Sequence, residues 1–181
     1  MTKTALILVD IQNDYFEGGD WPVHQMNVVS AKAAQLLAHA RASKAMVVHV
    51  RHENAADDAP FLRPGTPGAD IHASVAPQQG EPVLTKARPN SFYQTGLLNL
   101  LREAEIEAVT ICGAMSQMCV DATTRAAADF GFQVTVVEDA CGAKEAEFGG
   151  VEVSAPQVHA AFMAPLAMGY AKVIKADDLV P

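Results

Sequence analysis

Short unbroken apolar runs alternate along this chain with stretches whose apolar residues recur every three or four positions. Ala5–Val9 (ALILV) is a continuous apolar run closed by Asp10, the pattern of a strand buried on both faces. Val28–Ser43 carries its apolar residues at helical spacing, and Ala45–Val50 (AMVVHV) reads as a second strand. Pro82–Thr85 (PVLT) is short and strand-like. Thr95–Ala104 predicts a helix, Val109–Cys112 (VTIC) a strand, and Val120–Phe130 a helix stopped by Gly131. Gln133–Val137 (QVTVV) predicts another strand. Pro156–Met168 predicts a helix that Pro165 should bend or shorten, and Ala171–Ile174 a last short strand.

Strands alternating with helices imply crossover units: an α/β chain with a mostly parallel sheet and helices on both faces. Ligands of such sheets bind at the carboxyl ends of the strands. The residues that follow each apolar run therefore rank above others: Asp10, His52 with Glu53, Lys86, and the stretch "GAMSQMCVDATTRAAADFG" from Gly113 to Gly131. Glu53–Gly80 breaks the pattern. It is long and rich in Pro, Gly, Asp and Ala, yet carries Phe61, Leu62 and Ile71, so it reads as a partly packed lid or subunit-contact loop.

The 181 residues are enough for one domain with a full core, spanning 1–181. A net charge of -8 with no basic cluster argues against nucleic acid as a partner and leaves a small-molecule substrate open. No apolar run approaches the ~20 residues of a membrane span, so no membrane partner is expected. The five apolar residues before Asp10 are too few for a signal-peptide core, which points to a cytoplasmic protein. Three cysteines, Cys112, Cys119 and Cys141, without any CxxC spacing, argue against a disulfide framework or a cysteine-rich zinc site.

Cys119 stands near the expected start of a helix, where free N–H groups and the helix dipole favour a thiolate and the preceding loop can aim N–H groups at an oxyanion. Cysteine is equally at home as buried filler. Asp10 is a carboxylate at the end of a buried strand, costly unless paired, and its alternative is to cap a turn. Lys86 emerges at a short strand end, although a solvated lysine is the commoner fate. Together a thiol, a carboxylate and an amine form a workable machine: the carboxylate takes the thiol proton, the lysine holds both anions, and the thiolate attacks a carbonyl.

"ALILVDIQNDYF", "LTKARPNSFYQTGL" and "ICGAMSQMCVDATTRAAADFGF", in this order, resemble the isochorismatase-like cysteine hydrolases, whose members include nicotinamidases, N-carbamoylsarcosine amidohydrolases and isochorismatases. The resemblance implies a three-layer α-β-α, Rossmann-like fold. It implies a catalytic Asp10, Lys86 and Cys119, and a non-proline cis peptide joining Ala114 to Met115. It further implies that the N–H groups of Met115 and Cys119 form an oxyanion hole, that Phe92 stands near the active site, and that the chain assembles as a homo-oligomer. Position after Asp10 and Lys86 nominates Phe16, Trp21, Asn90 and Phe92 for the substrate pocket, with His52 and Ala114 lining it.

Nicotinamidases carry an Asp-x-His metal pair where this chain has "HVRHEN". His49 and His52 are three apart and face opposite sides of an extended strand, and His72 lies alone in the loop. No metal and no other cofactor is expected. Gln117 stands where relatives often have His. The reading is a metal-independent hydrolase cleaving a C–N bond in a small amide, ureide or carbamoyl compound. Its alternatives are an isochorismatase-type vinyl-ether hydrolase, a non-catalytic binding domain on the same fold, and a redox thiol protein, which the lack of a CxxC disfavours.

Overall fold

The computed structural model describes residues 2–56 and 58–180. Met1, Asp57 and Pro181, and with them the ends of the 1–181 span and one position of the Glu53–Gly80 segment, lie outside the described residues. The apolar runs form strands β1 (Thr4–Val9), β2 (Met46–His52), β3 (Val83–Lys86), β4 (Ala108–Ala114) and β5 (Gln133–Gly142). A short hairpin, β6 (Ala146–Phe148) and β7 (Val151–Val153), precedes the final strand β8 (Lys172–Ile174). The helices are α1 (Met26–Ala42), α2 (Leu97–Glu103), α3 (Asp121–Asp129) and α4 (Ala155–Gly169). None of them is long and apolar enough to cross a membrane.

Six strands form one sheet in the order β3-β2-β1-β4-β5-β8, every pair parallel. Antiparallel pairing among the described residues is found in the separate β6–β7 hairpin and in a single bridge between Gln12 and Ile71. Parallel strands need covered faces. Right-handed crossovers supply them: the chain winds one way from β1 through α1 to β2, and the other way from β3 through α2 to β4 and onward. That reversal puts α1 on one face and α2, α3 and α4 on the other, giving a three-layer α/β fold. It also puts the topological switch point between β1 and β4, which pair along Thr4–Val9 and Ala108–Gly113. The core sits on β1, β4 and β5, where Ile7, Val9, Ile111, Val136 and Val137 are fully buried.

Several elements differ from the sequence expectation. β5 runs on to Gly142, past Val137, after a register shift opposite Ile111–Gly113. α4 continues through Pro165 to Gly169 without shortening, its Met163 and Leu166 packed into the core. The helix expected from Val120 starts earlier, as a π-helical turn at Ser116–Val120 that runs into α3.

The Glu53–Gly80 segment is packed against the stretch after β1. The Asp14 carboxylate accepts from Leu62 N–H at 2.6 Å, Gln12 bridges Ile71, and Phe16 stacks on His72. A Cβ on Gly68 would strike the Asp14 carboxylate, so glycine is required for that close approach.

Glu81 anchors the chain just before β3. Arg41 of α1 donates to its two oxygens at 2.7 and 2.8 Å, Gln78 N–H donates at 2.8 Å, and His49 of β2 lies at 2.9 Å. Arg41 above all, helped by these hydrogen bonds, holds the Glu81 carboxyl down from 4.5 to about 2. The folded carboxyl titrates lower than the unfolded one, so its contribution is present above pH 4.5 and is lost as pH falls towards 2. In urea titrations, Glu81→Gln is expected to cost about 1–3 kcal/mol at pH 7, with the gap to wild type closing as pH falls through that window.

Candidate active site

The carboxyl ends of four neighbouring strands converge at the switch point. β1 runs straight into Asp10, which adopts φ 52°, a left-handed conformation that aspartate tolerates better than most residues. The turn takes the chain out of the sheet while Asp10 N–H still donates to Val50 O at 2.9 Å. β2 ends in His52 and β3 in Lys86. β4 leads through Gly113, at φ 130°, to a cis peptide between Ala114 and Met115 and then to the π turn holding Cys119. A Cβ on Gly113 would collide with the Val9 carbonyl, which is why β4 passes β1 here through glycine.

The Lys86 ammonium stands among these ends. Nζ lies 2.6 Å from Asp10 Oδ2, 2.9 Å from His52 Nδ1 and 3.1 Å from Cys119 Sγ. The Asp10 and Lys86 side chains are wholly buried, and Cys119 is 4 % exposed. Burial is the largest single effect and disfavours the ammonium, but the Asp10 charge, then Cys119 and the hydrogen bonds to both, together hold the Lys86 pKa above its ordinary value. Asp10 pairs with the Lys86 ammonium through Oδ2, and no main-chain N–H among the described residues donates to its carboxylate.

At Cys119 burial runs against the thiolate that a helix start would favour. Burial pushes the thiol up strongly, the Asp10 carboxylate adds to this, and Lys86 offsets only part. The resting group is a neutral thiol beside a carboxylate. Cys112, entirely buried, is pushed up to about 12 by burial alone, and the Cys141 thiol is raised for the same reason.

Asp10, His52 and Cys119 form a group of three metal-capable side chains whose ligand atoms lie within 4.8 Å of one another. The Lys86 ammonium touches all three, so a cation already fills the set and we assign no ion to it. His49 turns away to Glu81, and His72 accepts from Ser74 N–H and stacks on Phe16 with ring centroids 3.7 Å apart.

The other nominated residues make contacts of their own. Trp21 stacks on Phe61 at 4.7 Å beneath the Lys144 ammonium. Phe92 packs against Phe130 and Phe132, and its N–H is held by the Asn90 side chain at 2.9 Å. Gln117 donates to the Lys144 carbonyl at 3.0 Å, tying the π turn to the segment after β5. Ala114 is fully buried at the end of β4.

Two further groups stand outside the nominated residues. Ser116, in the turn with Cys119, donates to Gly142 O at 3.1 Å and lies 2.9 Å from His159 Nδ1, whose Nε2 is 3.3 Å from Glu138. Gln12 is fully buried, and its amide clasps the His52 main chain in both directions: Oε1 accepts from His52 N–H and Nε2 donates to His52 O, each at 2.8 Å. Nε2 also donates to Ala69 O at 2.7 Å. The signal was available in "DIQND", a polar amide three residues beyond a buried strand, where the main chain has left the ladder and something must replace it.

An isochorismatase domain model matches residues 4–177. The chain belongs to the isochorismatase family. It is 43% identical to the uncharacterized isochorismatase family protein YddQ of Bacillus subtilis, over 94% of each chain. It is 32% identical to the maleamate amidohydrolase of Pseudomonas putida, over 80% of this chain and 75% of that one. Among solved structures, an isochorismatase hydrolase from Oleispira antarctica superposes with a TM-score of 0.95 at 48% identity, covering 99% of this chain and 96% of that one. The isochorismatase-family chain is thus a hydrolase by kinship, with amidohydrolases among its relatives.

Gln12→Leu leaves the His52 N–H and C=O and the Ala69 C=O without partners. In denaturant unfolding it should lower stability by about 2–4 kcal/mol, well beyond the effect of an ordinary surface substitution.

Proposed function

We propose that the chain hydrolyses a C–N bond of a small amide, ureide or carbamoyl compound through a covalent intermediate on Cys119. The observation that carries this reading is the buried contact of one ammonium with a carboxylate at 2.6 Å and a thiol at 3.1 Å. The raised thiol pKa fits it: a neutral thiol needs a base at the moment of attack, and Asp10 stands beside it.

In this mechanism Asp10 takes the Cys119 proton as Sγ bonds to the substrate carbonyl carbon. The N–H groups of Met115 and Cys119 receive the oxyanion. The tetrahedral intermediate collapses, the C–N bond breaks, and Asp10 returns the proton to the leaving nitrogen. Water, deprotonated by Asp10, then attacks the thioester carbon; the C–S bond breaks and the thiolate recovers its proton. Lys86 stays protonated throughout and stabilises whichever neighbour carries the negative charge. Phe16, Trp21, Asn90, Phe92, His52 and Ala114 are proposed to shape the pocket. The similarity to maleamate amidohydrolase supports amide cleavage over vinyl-ether hydrolysis.

The test is a panel of small amides, ureides and carbamoyl compounds plus isochorismate, read by mass spectrometry. Release of ammonia or amine from a C–N substrate is expected, with Cys119→Ala reducing turnover by about a thousandfold or more while remaining folded. Hydrolysis of isochorismate alone, surviving in Cys119→Ala, overturns the reading. In the wild type, iodoacetamide should label Cys119 faster than Cys112, since Asp10 is placed to take the proton of the first only. Equal, slow labelling of both thiols sinks Cys119 as nucleophile.

A further inference from the structure

We propose that His52, as a neutral imidazole, is a positioning residue that holds the Lys86 ammonium in place against Asp10 and Cys119. The consequence for turnover rests on the hydrolase reading above; the positioning itself does not.

The sheet register makes the pair. His52 and Lys86 are direct partners in the parallel β2–β3 ladder, so their side chains leave the same face of the sheet side by side. The ladder closes immediately beyond them, with Glu53 N–H donating to Lys86 O at 2.9 Å. Nζ then reaches His52 Nδ1 at 2.9 Å.

An ammonium has three hydrogens and no lone pair. Three acceptors surround this one: Asp10 Oδ2, Cys119 Sγ and His52 Nδ1. The imidazole therefore takes the third proton of a fully buried cation, and no other group of the described residues is within bonding distance of Nζ in its place. Losing it frees the ammonium to rotate away from the other two.

The arrangement demands one protonation state. Nδ1 must offer a lone pair, so the ring proton is on Nε2. An imidazolium would set two cations 2.9 Å apart. The charged and titratable groups facing the ring are Lys86 from β3, Asp10 from the end of β1 and Cys119 from the turn before α3. Burial and then the Lys86 charge lower the imidazole pKa, and Asp10 restores only part. The strand neighbours Arg51 and Glu53 neutralise each other at 2.7 Å.

The imidazole is also mounted rigidly. The Gln12 amide fixes both main-chain groups of His52, replacing the β1 backbone that turned away at Asp10. A ring intended only to fill a pocket wall would need neither this clasp nor a fixed tautomer.

The test compares His52→Asn and His52→Leu with wild type. Asn places Oδ1 where Nδ1 stands, accepts from the ammonium and does not titrate; Leu keeps bulk without an acceptor. Two readouts are taken from pH 4.5 to 8: the iodoacetamide rate at Cys119, and kcat and KM on an amide substrate. At pH 7.5 His52→Leu should lose about ten- to a hundredfold in the Cys119 rate and kcat, with His52→Asn restoring most of it. The wild-type rates should also show an acid limb below pH 6.5, the ordinary histidine value, that His52→Asn lacks. Thermal melts check that both variants fold. Full reactivity in His52→Leu, a folded His52→Asn as poor as it, or an unchanged acid limb in His52→Asn overturns the proposal. If no amide is turned over yet the Cys119 rate follows the pattern above, the amidase reading falls and the positioning stands.

Discussion

One buried positive charge organises this molecule. The Lys86 side chain is fully enclosed, and an ammonium so placed survives only if every proton finds an acceptor and its charge a counter-charge. Asp10 supplies the charge, and His52 and Cys119 complete the acceptors. These four residues come from the ends of β1, β2 and β3 and from the turn after β4, so the requirement ties four strands together at one point. Breaking any one contact leaves a buried charge short of a partner, which is worse than never having buried it.

The same charge sets the electrostatics of its neighbours. It lowers the His52 pKa, pulls against the burial that raises the Cys119 thiol, and is itself held protonated by Asp10. The resting site is one ion pair, one neutral thiol and one imidazole disposed towards its neutral form. Moving a single proton from sulfur to Asp10 turns the neighbouring carboxylate–thiol pair into an acid–thiolate pair without any change of net charge. A buried site tolerates that internal transfer far better than the entry of a new charge.

A second layer of buried polar groups holds the strand ends that carry these side chains. Gln12 extends the β1–β2 ladder with a side-chain amide after the backbone has turned away. Asp14 fastens the Glu53–Gly80 segment through Leu62 N–H. Glu81 clamps the start of β3 between Arg41 and His49, five residues before Lys86. Ser116, His159 and Glu138 tie the π turn to α4 and β5. Each group is remote in sequence from what it holds, and each satisfies main-chain or side-chain donors that would otherwise be buried without partners.

The strands were legible because fully buried parallel strands must be predominantly apolar: Ala5–Val9 is an unbroken apolar run, and Ala45–Val50 and Val109–Cys112 are each interrupted by one polar residue, His49 and Thr110. The α/β class followed from their alternation with helical periods, and the ranking of Asp10, Lys86 and Cys119 from their places after strands. Three things needed the tertiary structure. The extension of β5 to Gly142 and the early start at Ser116 depend on what packs opposite them, which local periodicity does not encode. The direction of the Cys119 pKa depends on burial and on the Asp10 carboxylate beside it, neither of which local sequence encodes. The partnership of His52 with Lys86 joins residues 34 positions apart and arises from strand register, a relation between two segments that neither contains. Sequence thus determined which residues stand at strand ends, since hydrophobicity is a local property. Only the folded sheet decided which of those ends touch, since contact belongs to the pairing.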